Sequence, residues 1–292
     1  MAANSSSGRL QIEKTYKLYI DGQFPRSESG RYFGLSDKEG KLLANISRGS
    51  RKDFRNATVA ARKAAKGWAA NSAYLRGQIV YRIAEMLEGR FDQFVSELRI
   101  EGRSAARAKS EVAASIDRLV YFAGWADKYQ QVFSSVNPVA SSHFNFSVVE
   151  PTGVVGILAP ERSGLLGLIS TLIPAIVGGN SCVVLASETR PLCAVSFAEV
   201  LNASDVPAGV VNILTGFRRE LAGQFASHMD INAVIYCDED EGLGRQIQLA
   251  AADNLKRVVS RCDLNFRDAD LDNPYLIRDT KEVKTTWHPI GT

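Results

Sequence analysis

An α/β chain built on a doubly wound parallel sheet is what this 292-residue sequence predicts. Three observations carry the expectation. Short apolar, β-rich runs recur after Pro151; helical periodicity fills the gaps between them; and longer amphipathic segments precede them. Parallel strands covered by helices on both faces lose the polar alternation of a half-exposed sheet, which explains why the runs are nearly continuous in apolar residues.

Taken in order, residues 1–15 are small and polar and read as a disordered tail. The run YKLYIDGQF (16–24) alternates about Asp21-Gly22, a strong hairpin signal, and an extended piece near Tyr32 to Leu35 follows, so a small antiparallel meander is expected. From Ser50 the period changes. Ser50 and Asp53 precede Phe54, Val59, Ala60, Ala64 and Trp68 at helical spacing. A longer second helix runs from Ile79 to Leu98, and a third from Ala113 to Trp125. An extended stretch, Ser141 to Glu150, is bracketed by Pro138 and Pro151. The strands VVGILAP (154–160), SCVVLASE (181–188), VVNILTG (210–216) and AVIYC (233–237) then alternate with helices. Ligands of such sheets sit beyond the carboxyl ends of the strands.

Composition excludes several classes. The net charge is +3, with basic and acidic residues interleaved, so no nucleic-acid footprint is present. Cys182, Cys193, Cys237 and Cys262 form no CxxC pair, and with only His143, His228 and His288 no zinc set can be drawn. The start lacks an apolar signal region. The longest apolar stretch, Leu165 to Gly179, is broken by Ser170, Thr171 and Pro174, so no membrane span is expected and the cytoplasm is the expected compartment.

Several motifs then appear in one order: YFAGWADKY (121–129), EPTGVVGIL (150–158), LIPAIVGGNSCVVLASE (172–188), PAGVVNILTG (207–216) and ASHMDINAVIY (226–236). With these the chain resembles the aldehyde dehydrogenase superfamily over residues 16–271. The terminal TKEVKTTWHPIGT (280–292) resembles the family's C-terminal strand, which completes an intersubunit sheet. The resemblance implies a Rossmann-like coenzyme-binding-like domain over 16–133 and 151–272. It also implies a small antiparallel oligomerisation arm over 134–150 and 280–292. The catalytic domain is expected to be absent, because the stretch DADLD (268–272) runs directly into Asn273-Pro274-Tyr275 and the terminal strand.

The resemblance also implies what the site has lost. No cysteine stands at the nucleophile's place, Arg162 replaces the oxyanion amide, Arg261 the general-base Glu, and Leu185 the ribose lysine. Glu188 alone matches a cofactor-binding residue, the ribose carboxylate. Arg218 fills a place beside the adenine that is usually Gly, and the pyrophosphate turn has become Cys237-Asp238-Glu239-Asp240-Glu241. Four carboxylates at a helix N-terminus can cap it themselves and oppose a pyrophosphate by on the order of 1 kcal/mol. No catalytic residue, no metal and no tight cofactor is therefore expected, with NAD or NADP bound weakly if at all.

The leading functional expectation is a non-catalytic subunit. It would assemble through the arm with itself or with a full-length aldehyde dehydrogenase, residues 280–292 pairing with 141–150 across the interface and Trp287 serving as an anchor. One alternative is a dehydrogenase component that binds cofactor and borrows catalytic residues from a partner. Another is a small-anion module using Arg162, Arg218 and Arg261. Against these stand plainer roles: Arg162 and Arg261 as ion-pair partners of the 238–241 cluster, Cys262 as a small core residue, and the histidines as strand or surface residues.

Overall fold

A computed structural model describes residues 14–36 and 39–291. Three strands, β1 (Thr15–Tyr16), β2 (Tyr32–Ser36) and β3 (Leu42–Ser47), form a small sheet in the order β1-β3-β2. Residues 1–13 of the expected tail lie outside the described residues, and Thr15 already belongs to a strand. The Asp21-Gly22 turn forms, with φ of 50° and 73°, the two positive values a tight hairpin turn demands. The meander does not: β1 runs parallel to β3, and Tyr19 exchanges both backbone bonds with Ile213 of the central sheet. Long-range pairing overrides the local alternation there.

Five helices follow: α1 (Arg51–Ala70), α2 (Ala73–Glu88), α3 (Phe91–Ile100), α4 (Ala105–Trp125) and α5 (Tyr129–Phe133). Ser50 closes the first turn of α1 as a capping box; its Oγ accepts from Lys52 and Asp53 N–H while Asp53 accepts the Ser50 N–H. Ser50→Ala is expected to lower stability by about 1 kcal/mol in denaturant titration; an unchanged midpoint would show the cap to be redundant. The expected single helix from 79 to 98 is two helices. Gly89 is a poor helix former and Arg90 leaves helical geometry at φ −115°.

Next come β4 (Ser135–Asn137) and β5 (His143–Pro151), then the alternating unit. It comprises β6 (Val154–Leu158), α6 (Leu166–Val177), β7 (Ser181–Leu185), α7 (Leu192–Asn202), β8 (Val211–Leu214), α8 (Arg218–Ser227), β9 (Ala233–Tyr236), α9 (Glu241–Ala252) and β10 (Arg257–Ser260). All five strands are parallel, in the order β10-β9-β6-β7-β8. The winding direction reverses between β6 and β9, the switch point at which such sheets open a crevice. Every residue of α6, β6, β7, β8 and β9 is buried, which accounts for their unbroken apolar sequences.

The chain ends on α10 (Tyr275–Arg278) and β11 (Lys281–Pro289). In the arm sheet, β11-β5-β4, strand β11 lies antiparallel to β5 from Lys281 against Pro151 to Pro289 against His143. The pairing expected across an interface thus closes within one chain. What remains open are the outer edges of β4 and β11. One face carries a polar ladder, with Asn137 donating to Asn145 and Ser147, and Ser147 bonded to Thr285. The other presents Val136 and Phe144, the latter stacked on Phe146 at 5.6 Å.

The root of the arm is tied to the C-terminal end of α6. Trp68 Nε1 donates to Ile176 O (2.8 Å), Arg76 Nε to Val177 O (3.1 Å) and Lys281 Nζ to Gly178 O. Cations and an indole thereby satisfy carbonyls that a helix end leaves unpaired.

Candidate functional site

At the carboxyl ends of the strands the crevice is occupied by the side chain of Arg218. The residue begins α8, beyond β8, and its guanidinium reaches back across the sheet. Nε donates to Glu161 Oε1 (2.7 Å), Nη2 donates to Ala159 O, and Nη1 faces Asp238 Oδ2 at 3.3 Å. Ala159 and Glu161 follow β6, and Asp238 follows β9, so one side chain bridges both strands of the switch point. Its side chain is 6% exposed.

Glu161 is the hub. Besides Arg218 it accepts from Ser187 Oγ (2.7 Å), Glu188 N (2.9 Å), Thr189 N (3.1 Å) and Thr189 Oγ1 (2.9 Å). Burial pushes its carboxyl up, but the Arg218 charge and these donors outweigh burial and hold it below its ordinary value. Glu188, the expected cofactor-binding residue, lies in the same crevice and is engaged: its Oε1 accepts the Arg218 backbone N–H at the head of α8. Burial raises its pKa.

The acidic turn is likewise internally satisfied. Asp240 caps α9, accepting Leu243 N at 3.0 Å, while Glu239 pairs with Arg162 at 2.5 Å and Asp238 with Arg218. Arg162 therefore meets the cluster as its plainer role implied, but Arg261 does not. Arg261 is buried and pairs with Asp279 at 2.9 Å, far along the chain from the turn. Each arginine of the small-anion module has a carboxylate partner, which ends that alternative. Leu185 is fully buried in β7 and offers no polar atom.

Beside the crevice opens a cleft of 610 Å³, lined among others by Arg103, Arg162, Asp238, Cys262 and Arg267. Beneath it Glu111 is fully buried, accepting from Ser163 Oγ at 3.1 Å and paired with Arg103 and Arg267 at 3.3 and 3.5 Å. Cys262 is partly exposed; its Sγ lies 3.2 Å from Ser260 Oγ. Cys237 is buried, and burial pushes its thiol up to about 12. Cys182 and Cys193 are also buried and raised, so neither supplies a thiolate. His228 packs on Phe54 and is lowered by burial; His143 contacts Trp287, and His288 is exposed on β11. No group of three or more His, Cys, Asp or Glu among the described residues could hold a metal.

Sequence reasoning missed Glu161 and Glu111. A Glu next to Arg162 carries no periodic signal, and its role depends on Arg218, which lies 57 residues away and meets it only once the sheet has formed. A dinucleotide in this crevice needs free helix N–H groups and a free carboxylate. Here Asp240 takes one N–H of α9, Glu188 is engaged with the head of α8, and Arg218 fills the space between, so the residues present do not fit that group.

The aldehyde dehydrogenase family profile matches residues 26–265. An aldehyde dehydrogenase of Aspergillus niger is 32% identical over 273 residues, covering 90% of this chain and 54% of that protein. The 2-hydroxymuconic semialdehyde dehydrogenase of Pseudomonas sp. strain CF600 is 34% identical over 274 residues, with 89% and 55% covered. Among solved structures, the NAD+ complex of an aldehyde dehydrogenase from Bacillus cereus superposes with a TM-score of 0.80 at 25% identity, over 85% of this chain and 50% of that one. The chain thus spans about half the length of the relatives it matches.

Proposed function

We propose that this chain, which belongs to the aldehyde dehydrogenase family, is a non-catalytic structural or regulatory subunit that engages protein through its three-stranded arm. A full-length aldehyde dehydrogenase is the favoured partner, a second copy the other. One observation carries the proposal: the arm is complete while only residues 261–280 separate β10 from β11. The places of nucleophile, base and oxyanion amide meanwhile hold no group able to do that chemistry. The open edge of β11 offers unpaired backbone donors and acceptors along nine residues, and Val136 (68% exposed), Val283 (68%) and Trp287 (57%) stand out from the arm. Open, partly apolar edges of this kind are what strand addition between chains uses. Four unpaired thiols suit a reducing compartment, and we assign the chain to the cytoplasm. No helix among the described residues is long and apolar enough to cross a membrane.

Sedimentation of the full chain, with and without a co-expressed dehydrogenase, tests the proposal. Association is expected, and Val283→Lys with Trp287→Lys should weaken it at least tenfold while leaving the melting profile in place. A monomer that binds no dehydrogenase would end it. A second possibility, a component that binds cofactor and borrows catalytic residues, is favoured by the NAD+ complex of the Bacillus cereus relative. Calorimetric titration with NAD and NADP separates the two: only micromolar affinity supports the second.

A further inference from the structure

We infer that Arg218 is a built-in occupant of the crevice, and that this side chain together with its partner Glu161 decides whether the chain accepts an adenine nucleotide. The inference is independent of what the arm recruits. It takes from the family only the class of ligand that the crevice would hold.

The geometry is that of a ligand supplied by the protein itself. The guanidinium lies where the winding direction reverses, held by a backbone carbonyl after β6, a carboxylate after β6 and a second carboxylate after β9. Fork-shaped, permanently charged arginine suits such convergent acceptors better than any other side chain. Its neighbour Arg219 is exposed and rests over the Phe217 ring at 5.5 Å, so the contrast is not one of local charge but of position. Burying a guanidinium costs free energy unless its partners are good, and here two carboxylates offset that cost. Those same carboxylates define what removal would leave: space, but with negative charge on both sides. Opening the crevice to a nucleotide therefore requires removing the guanidinium and neutralising Glu161 together. In the Gln form the single amide oxygen can still accept from Ser187 and Thr189, as Oε2 does, while the amide nitrogen in place of Oε1 gives up the Glu188 N–H.

The test is calorimetric titration of the full chain with NAD and with AMP. The parent is expected to show no saturable binding up to about 1 mM, Arg218→Gly a weak gain, and Arg218→Gly with Glu161→Gln a gain of at least tenfold in affinity. Micromolar binding by the parent would overturn the inference. So would folded variants, by circular dichroism and melting, that bind no better than the parent. A second measurement on the parent guards against variants that fail to fold. Phenylglyoxal labelling with peptide mapping should modify Arg219 at least tenfold faster than Arg218. Equal rates would mean that the guanidinium is not seated in the crevice.

Discussion

Asp279→Ala is expected to cost about 3 kcal/mol of stability. Its partner Arg261 is buried, and apart from Asp279 it reaches only the carbonyls of Ser170 and Leu276, at 3.5 and 3.4 Å. Without Asp279 the guanidinium stays buried with no compensating charge. Asp279 itself is partly open to water, which keeps the loss near the lower end of the range for broken buried pairs. Replacing both partners with apolar residues, Arg261→Met with Asp279→Leu, should return to within about 1 kcal/mol of the parent, because no charge is then stranded. Urea titration of the three proteins is the measurement. An Asp279→Ala midpoint matching the parent would show that the pair does not hold the junction.

That junction matters because residues 261–280 are the whole connection between β10 and the arm strand β11. Two arginines staple it: Arg261 onto α10 and Asp279, and Arg118, from α4, onto Asp272 at 2.6 Å. Ser170 of α6 serves both, its Oγ accepting from Arg118 at 2.8 Å and its carbonyl facing Arg261.

Lys281 should contribute stability that rises with pH between about 7 and 10, and Lys281→Met should remove that contribution. The Lys281 ammonium is buried, and burial, with Arg76 close by, pushes its pKa down to about 7. The folded value thus lies below the unfolded one. Between the two the unfolded chain binds more protons, so stability increases with pH across the window and the cost is fully present at pH 7 and below. Fully uncompensated, such a shift amounts to roughly 4–5 kcal/mol. Lys281 also donates to Tyr129 Oη at 3.1 Å and to Gly178 O and lies over the Tyr129 ring, so about 2 kcal/mol is the expected rise across the window. Denaturant titrations at pH 7, 8.5 and 10 read it as the difference between parent and variant. Parallel curves for the two proteins would refute the assignment.

Much of this fold was legible in the sequence because its cause is local. Continuous apolar runs mark strands buried on both faces, and Ser50 with Asp53 spells a helix start whatever surrounds it. The errors fall where partners are remote. The Asp21-Gly22 turn formed, yet Tyr19 is captured by Ile213, and β3 was overlooked because its neighbours are strands that close only in three dimensions. The candidate site divides the same way. The departures from the family's motifs at Arg162, Leu185 and Arg261 could be read position by position, and Arg162 met the acidic turn. Arg261 found Asp279 instead, and the central role of Glu161 could not be foreseen, since neither pairing leaves a mark in spacing.

Helix α6 has one end at the crevice and the other at the arm. Ser163 receives its first turn, donating in turn to Glu111, while Lys281 and Arg76 grip its last carbonyls. Its twelve buried residues, Pro174 among them, span roughly 18 Å. One packed element thus joins the loop that cradles Arg218 to the root of the arm.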